Sequence, residues 1–301
     1  MNLPKAVEIR EVGPRDGLQN EKIFIPTDLK VQWINLISET GVRHIEVSSF
    51  VSPKWIPALA DHHEVFEQIT RHEKITYAAL VPNLKGGVEG AIQQKVDEIA
   101  LFISASEEHN QSNVNASINQ SLQNLKAVAE AANREGISLR GYISTVFGSP
   151  FGDEVKLQTV KEIIDAYLTM GVSEISLGDT IGGVADPVQV KAILSELLTQ
   201  YDRDLFALHF HDTYGRALAN IFAALELGIT KYDSAIGGLG GCPYAPPGAS
   251  GNVSTNDLVN FLHRLGVQTN IDEEKLFTAT RFLQQAINRQ LDSKVYKVQS
   301  N

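Results

Sequence analysis

The sequence predicts an α/β chain folded as a (β/α)8 TIM barrel with extra C-terminal helices, and three observations predict it. A helical period, a glycine and an apolar strand recur in that order along the chain. Counting from Val7, eight strand-like segments follow one another at roughly 30 to 35 residues, the length of one βα unit with its loops. The polar residues that interrupt these apolar strands gather at their C-terminal ends, where a TIM barrel keeps its reactive groups. Strands alternating with helices imply a parallel sheet, and eight such units suit a closed barrel better than an open one.

The first strand is Val7-Glu8-Ile9-Arg10-Glu11-Val12. Four later strands each follow a helix-stopping glycine: His44 to Val47 after Gly41, Tyr142 to Ser144 after Gly136, Glu174 to Leu177 after Gly171, and Tyr232 to Ala235 after Gly228. The remaining strands are read near Ile75 to Val81, Glu98 to Ser104 and Leu205 to His211. Helix starts are marked by Thr27 before Asp28, Asp153 before Glu154, and Asp186 before Pro187. Residues 1–270 are assigned to the barrel and 271–301 to a helical extension on its outside, all within one domain spanning 1–301. A doubly wound sheet would want a glycine-rich phosphate turn after the first strand. The turn here, Val12-Gly13-Pro14-Arg15-Asp16-Gly17, does not fit GxGxxG.

With 43% hydrophobic and 21% charged residues, the 301-residue chain has the composition of a globular protein with a large core. A net charge of −10 without a Lys/Arg-rich run excludes a nucleic-acid partner, which needs a basic face. An anionic ligand would need local cations to override that overall field. One cysteine, Cys242, excludes an intrachain disulfide and fits a reducing compartment. No leader and no membrane-length apolar run is visible, so the expectation is a cytoplasmic protein with no membrane partner.

The strongest chemical signal is Leu208-His209-Phe210-His211-Asp212. Strand residues two apart share a face, so the two imidazoles leave the strand together. With Asp16 at the end of the first strand and an amide oxygen such as that of Asn252, they make a mixed N/O donor set without a thiolate. Such a set favours octahedral Mg²⁺ or Mn²⁺ over structural zinc, with zinc and Co²⁺ left open. Arg15 beside Asp16 suits an anionic ligand and a cation held together. Glu46, set between Ile45 and Val47, needs a partner if buried, and Arg15 is the expected one. Asp179 reads either as reactive or as the start of the turn Thr180-Ile181-Gly182-Gly183. Gly237-Gly238-Leu239-Gly240-Gly241-Cys242 has four glycines, more freedom than a plain turn needs, which suggests a closing loop; Cys242 reads alternatively as a buried, inert thiol. The stretch Ser104 to Asn110 is read as the opening of a long loop, and His44, His62, His63, His72 and His263 receive no role.

Five motifs in order resemble the hydroxymethylglutaryl-CoA lyases, a family of metal-dependent TIM-barrel acyl-CoA lyases and synthases. They are Gly13-Pro14-Arg15-Asp16-Gly17-Leu18-Gln19-Asn20-Glu21, Ile45-Glu46-Val47-Ser48-Ser49-Phe50-Val51-Ser52-Pro53-Lys54-Trp55, Leu177-Gly178-Asp179-Thr180-Ile181-Gly182, His209-Phe210-His211-Asp212-Thr213-Tyr214-Gly215 and Gly238-Leu239-Gly240-Gly241-Cys242-Pro243-Tyr244. The resemblance implies cleavage of 3-hydroxy-3-methylglutaryl-CoA to acetoacetate and acetyl-CoA, a small-molecule acyl-CoA substrate and a homodimer. By the same carry-over Asp16, His209, His211 and Asn252 hold the cation. Arg15 stabilises the enolate, Asp179 and His209 handle the hydroxyl proton, Cys242 rides the closing loop, and Glu46 and Gln19 support them. Ser49, Lys22, Lys54 and Asn83 join Arg15 and Gln19 as expected substrate contacts, the two lysines and Asn83 for the anionic part of CoA. The chain departs from the family pattern at Pro246-Pro247, one residue longer, and at Asn256, where an acid is expected before Asp257. Two other readings are a condensing synthase of the same superfamily, which normally carries a further C-terminal region, and a non-catalytic acyl-CoA-binding barrel.

Overall fold

The structure, a computed structural model, describes residues 3–21, 23–242, 244–245 and 249–300. Its strands are β1 (Glu8–Glu11), β2 (His44–Ser49), β3 (Thr76–Leu80), β4 (Glu98–Ser104), β5 (Ser138–Ser144), β6 (Glu174–Asp179), β7 (Phe206–Phe210) and β8 (Lys231–Ser234). They close in chain order, each parallel to the next, and β8 pairs back on β1 with Ile9 opposite Tyr232. The helices are α1 (Thr27–Ser38), α2 (His62–Gln68), α3 (Glu89–Gln93), α4 (Glu107–Val114), α5 (Ile118–Arg134), α6 (Leu157–Thr169), α7 (Pro187–Leu197), α8 (Ala217–Leu225), α9 (Thr255–Arg264), α10 (Glu273–Ile287) and α11 (Lys294–Gln299). At least one follows every strand, so the predicted (β/α)8 barrel stands. Among the described residues no helix is long and apolar enough to cross a membrane.

Strand alternation divides the residues cleanly. Ile45, Val47, Ile99, Leu101, Ile103, Leu139, Ile143, Ile175, Leu177, Phe206, Leu208 and Phe210 are buried on the side that packs the helices, and this annulus is the apolar core. The other face of the same strands carries Arg10, Glu46, Arg140, Tyr142, Glu174, Ser176, His209 and Asp233, all buried. The barrel interior is therefore filled by charge rather than by branched aliphatics, and every charge found there is paired. Arg140 Nε donates to Glu174 Oε1 at 2.8 Å and its Nη2 to Asp233 Oδ1 at 2.6 Å. Arg10 Nη2 reaches Glu174 Oε2 at 2.8 Å, and Lys231 Nζ lies 3.1 Å from the same oxygen. Burial alone would raise both carboxylates. The Arg140 guanidinium overrides it, holding Glu174 far below the carboxylate range and Asp233 at about 2.

Local signals explain most helix boundaries. The four stop glycines have φ values of 97° (Gly41), 71° (Gly136), 85° (Gly171) and 84° (Gly228), as expected. Asp186 caps α7, accepting from the Val188 and Gln189 amides at 2.8 and 2.9 Å. Two expected starts differ. Pro26 precedes α1, so Thr27 lies inside the first turn, its hydroxyl donating to Asp61. The helix expected at Asp153 begins only at Leu157, and the Asp153 carboxylate is directed at the Ser106 hydroxyl across the loop instead. Ser106 also accepts the His109 amide, which makes the stretch read as a loop the start of α4 instead.

Beyond α9, α10 packs against α1 and α11 against α9. Asp257 accepts from the Ser293 hydroxyl and the Lys294 and Val295 amides, seating the start of α11. Asn256, where an acid is expected from the resemblance, accepts the Gly237 amide and donates to Thr280, so its amide anchors the glycine loop to α10.

Removing one member of a buried ion lattice strands the rest, at about 3–5 kcal/mol. Arg140→Met is expected to lose stability on that scale in urea unfolding at neutral pH. Because the paired carboxylates are depressed in the folded state, their contribution is present above the unfolded carboxylate pKa of roughly 4 and disappears as pH falls toward 2. The variant should show a flatter acid limb than the wild type, and an equal limb would contradict the pairing.

Candidate active site

The first site element is built by backbone geometry. After β1 the chain winds into a wide turn, Gly13–Gly17, in which the Arg15, Asp16 and Gly17 amides all donate to the Val12 carbonyl at 3.2, 2.7 and 3.2 Å. Glu11 braces this turn from behind, accepting from the Gly13 and Ile236 amides and from the Thr255 hydroxyl, and so tying β1 to the loop after β8 and to α9. Burial lifts Glu11 to about 7 despite those donors. The turn delivers Arg15 and Asp16, both buried, to the C-terminal mouth of the barrel.

Asp16 is the hub. Its Oδ1 accepts from Arg15 Nη1 and Gln19 Nε2, each at 2.7 Å. Its Oδ2 accepts from Asn252 Nδ2 at 2.7 Å and lies 3.8 Å from His209 Nε2 and 3.9 Å from His211 Nε2. Burial would raise this carboxyl, but Arg15 and the two histidines hold it below its ordinary value. His209 Nδ1 lies 3.1 Å from the Asp233 carboxylate, which leaves Nε2 as the ring nitrogen facing Asp16 and His211. His211 is neutral at pH 7, since burial and then His209 push it down to about 4. The two Nε2 atoms stand only 3.2 Å apart. Two imidazole nitrogens and a carboxylate oxygen at such separations suit a shared cation with bonds of roughly 2.1 Å. Among the described residues this is the cluster of side chains that could hold a metal.

Asn252 pairs with His211 through an antiparallel bridge. Its Oδ1 is buried without a partner, and turning the amide over would bring that oxygen to Asp16 as a fourth donor. Glycine is required beside it: Gly240 has φ 124°, and a Cβ there would fall 2.6 Å from Asn252 Nδ2. Gly182 has the same duty below Asp179, since a Cβ would meet the His211 carbonyl carbon at 2.6 Å.

Arg15 meets its expected partner. Its Nη2 lies 2.8 Å from Glu46 Oε2, which also accepts the Tyr142 hydroxyl at 2.8 Å, and the guanidinium sits over the Tyr142 ring. Arg15 Nε and Glu46 Oε1 remain buried without partners. Asp179 ends β6 with Oδ1 buried and unpartnered, and burial lifts it to about 6. Cys242 is half-buried, and its thiol is pushed up to about 11 by burial, so it is protonated at neutral pH. Two residues further along, the Tyr244 ring packs 5.0 Å from His109 and 5.4 Å from Phe151, and its hydroxyl accepts from Ser112. The chain leaving β8 thus crosses the mouth to α4 on the far side.

The other expected contacts separate. Gln19 serves Asp16; Ser49 is fully buried and donates to the Leu80 carbonyl; Lys54 and Asn83 are exposed on loops after β2 and β3, Lys54 beside Trp55, which is 83% exposed. Lys22, Pro246 and Pro247 lie outside the described residues. The sequence reading missed Tyr142, Asp233, Arg140, Ser176 and Tyr244. Arg140 carried a usable signal: a charge in the middle of an apolar strand, with Tyr142 two residues on sharing its face.

Residues 6–283 match the HMGL-like family. The hydroxymethylglutaryl-CoA lyase YngG of Bacillus subtilis (strain 168) is 48% identical over 298 residues, covering 99% of each chain. The crystal structure of the Bacillus subtilis HMG-CoA lyase superposes with a TM-score of 0.97 at 47% identity over 100% of both chains. An HMG-CoA lyase of Acinetobacter baumannii in complex with coenzyme A and 3-methylmalate superposes with a TM-score of 0.92 at 41% identity, covering 99% of this chain and 96% of that one.

Two outcomes follow from this geometry. Asp16→Asn should weaken Mn²⁺ binding at least tenfold by titration calorimetry, because a neutral amide replaces the charged oxygen facing both imidazoles; equal affinity would exclude the site. Tyr244→Ala should accelerate alkylation of Cys242, the single cysteine, by removing the contact that holds its segment across the mouth. An unchanged rate would show that the segment is held elsewhere.

Proposed function

The chain belongs to the HMGL-like family and is a carbon–carbon lyase that cleaves 3-hydroxy-3-methylglutaryl-CoA to acetoacetate and acetyl-CoA; from that premise we propose how the residues at the barrel mouth carry out the cleavage. The observation that carries the reading is the convergence of Asp16, His209 and His211 within 4.8 Å at the end of strands β1 and β7. Asp16, His209, His211 and the Asn252 amide oxygen would hold Mg²⁺ or Mn²⁺, which matches their hard, thiolate-free donors. Such an ion supplies Lewis-acid polarisation of the substrate oxygens.

The residues divide the remaining work. Cleavage removes the proton of a tertiary hydroxyl and leaves negative charge on a thioester enolate. His209 has Nδ1 bonded to Asp233 and Nε2 aimed at the ligand cluster, so the proton goes to Asp179, whose basicity its burial has raised to about 6. Arg15, held at the mouth between Asp16 and Glu46, is the guanidinium that meets the developing enolate. Glu46 and Tyr142 fix that guanidinium from behind. Cys242, a protonated thiol on the segment spanning the mouth, is fitted to give a hydrogen rather than to attack. The Tyr244 bridge keeps water from the enolate while the segment is shut.

Lys54 and Asn83 on the exposed rim, with Lys22, are the proposed contacts of the anionic part of CoA, and the solvent-exposed Trp55 beside Lys54 offers a surface for its base. Gln19 and Ser49 act from below, through Asp16 and through the β2–β3 edge. We take residues 1–270 and the helical extension 271–301 as one catalytic domain, supported by the packing of α10 on α1. A homodimer and a cytoplasmic setting are carried from the resemblance and from the single free cysteine. The relatives compared are lyases, which gives no support to the synthase or the non-catalytic reading.

Purified protein with Mn²⁺ and 3-hydroxy-3-methylglutaryl-CoA should release acetoacetate in stoichiometric amount with acetyl-CoA. Arg15→Gln should lower kcat by about 10²–10³-fold, the usual effect of losing a donor to a developing oxyanion. Cys242→Ser should slow turnover while leaving Mn²⁺ affinity intact. Absence of acetoacetate, or condensation of a 2-oxo acid with acetyl-CoA in its place, would defeat the assignment.

A further inference from the structure

Asp233 sits on β8 directly opposite His209 on β7 and is 1% exposed. Three strands converge on its carboxylate. From β7, His209 Nδ1 meets Oδ2 at 3.1 Å; from β6, the Ser176 hydroxyl donates to Oδ2 at 2.6 Å; from β5, Arg140 Nη2 donates to Oδ1 at 2.6 Å. Arg140 can only donate, so Oδ1 can only accept. The guanidinium is itself locked, since its Nε is held by Glu174, which Arg10 and Lys231 grip from the N-terminal end of the barrel. Oδ1 is thereby fixed as an acceptor, and the carboxylate cannot turn away from the imidazole that faces its other oxygen.

Resting on the metal reading above for its consequence, we infer that Asp233, oriented by Arg140, is a positioning residue that fixes His209 as the Nδ1–H tautomer and so presents the Nε2 lone pair toward Asp16 and His211. The ligand geometry at the mouth is then set by a chain of charges that begins at the opposite end of the barrel. Ser176 contributes a second donor to Oδ2, and its hydroxyl can rotate, so it does not dictate the tautomer.

Asp233→Asn separates this from a merely structural role, because the amide has the same shape. Arg140 admits only the amide oxygen on its side, which turns the NH₂ group toward Ser176 and His209. A donor facing Nδ1 drives the ring hydrogen to Nε2, where it blocks the lone pair. The measurement is long-range ¹H–¹⁵N correlation of the histidine rings in metal-free, full-length protein, the His209 signals being assigned by their loss in His209→Gln. The wild type should show the Nδ1–H form, D233N the Nε2–H form, and S176A the wild-type form. Mn²⁺ affinity, read by the loss of free-ion signal in electron paramagnetic resonance, should fall roughly 10–100-fold in D233N. A wild-type His209 already protonated at Nε2 overturns the inference, as does a D233N protein that keeps the wild-type tautomer or the wild-type Mn²⁺ affinity. Should D233N fail to fold, the wild-type spectrum decides alone. Wild-type protein with the Nδ1–H tautomer but no affinity for Mn²⁺ would refute the metal reading while leaving the tautomer assignment in place.

Discussion

The Arg140–Asp233 contact governs what the inside of this barrel can be. A TIM barrel usually fills its interior with layers of branched aliphatic side chains, which interlock by shape and tolerate small changes. Here the same space holds guanidinium, carboxylate, imidazole and hydroxyl groups, which must satisfy charge and hydrogen bonding at once. Each buried ion is tolerable only while its counter-ion stays in place, because an unpaired charge in that environment costs several kcal/mol. The demand for neutrality therefore does for the interior what steric fit does elsewhere: it selects one arrangement. The apolar contribution to stability is displaced outward, to the layer between strands and helices.

That division suits a catalyst. Charges are useful at the mouth, where Asp16, Arg15 and Glu46 share protons and donors, but a charged mouth on an aliphatic floor would lack support for its own orientation. The floor is continuous with the mouth instead, through Tyr142 above Arg140 and Asp233 beside His209. Each active group is thereby held from beneath by a partner on a neighbouring strand, and the strands are held by the closed sheet. Rigid placement of this kind is what lets preformed dipoles act on a transition state without reorganising.

Much of this was legible in the residues themselves. The barrel was visible because strand and helix periods alternate with glycine punctuation, and local chemistry decides such boundaries. Asp16 and the His-x-His pair could be joined because alternation fixes which face a strand residue occupies. Thr27 and Asp153 misled for one reason: a local window does not show where a side chain points, and these two are directed at the distant Asp61 and Ser106 instead of at a helix start of their own. Asp233 and Tyr142 escaped because nothing in Lys231-Tyr232-Asp233-Ser234 or Arg140-Gly141-Tyr142 says that the two strands face each other across a barrel only one layer wide. Cross-barrel pairing is set by closure and register, which no local window contains. Tyr244 escaped likewise, since its partners His109 and Phe151 belong to the opposite rim.

The excess of acidic residues acts on a different stage of the cycle. An acyl-CoA thioester approaching at neutral pH is repelled by the chain's overall charge of −10 long before it touches Lys54 or Arg15. Encounter is thus slowed at low ionic strength and eased as salt shortens the reach of that field to about 8–10 Å. The buried groups, out of reach of counter-ions, are untouched by the same salt. Arrival and chemistry consequently answer to different solvents, one the bulk electrolyte and the other the protein's own interior.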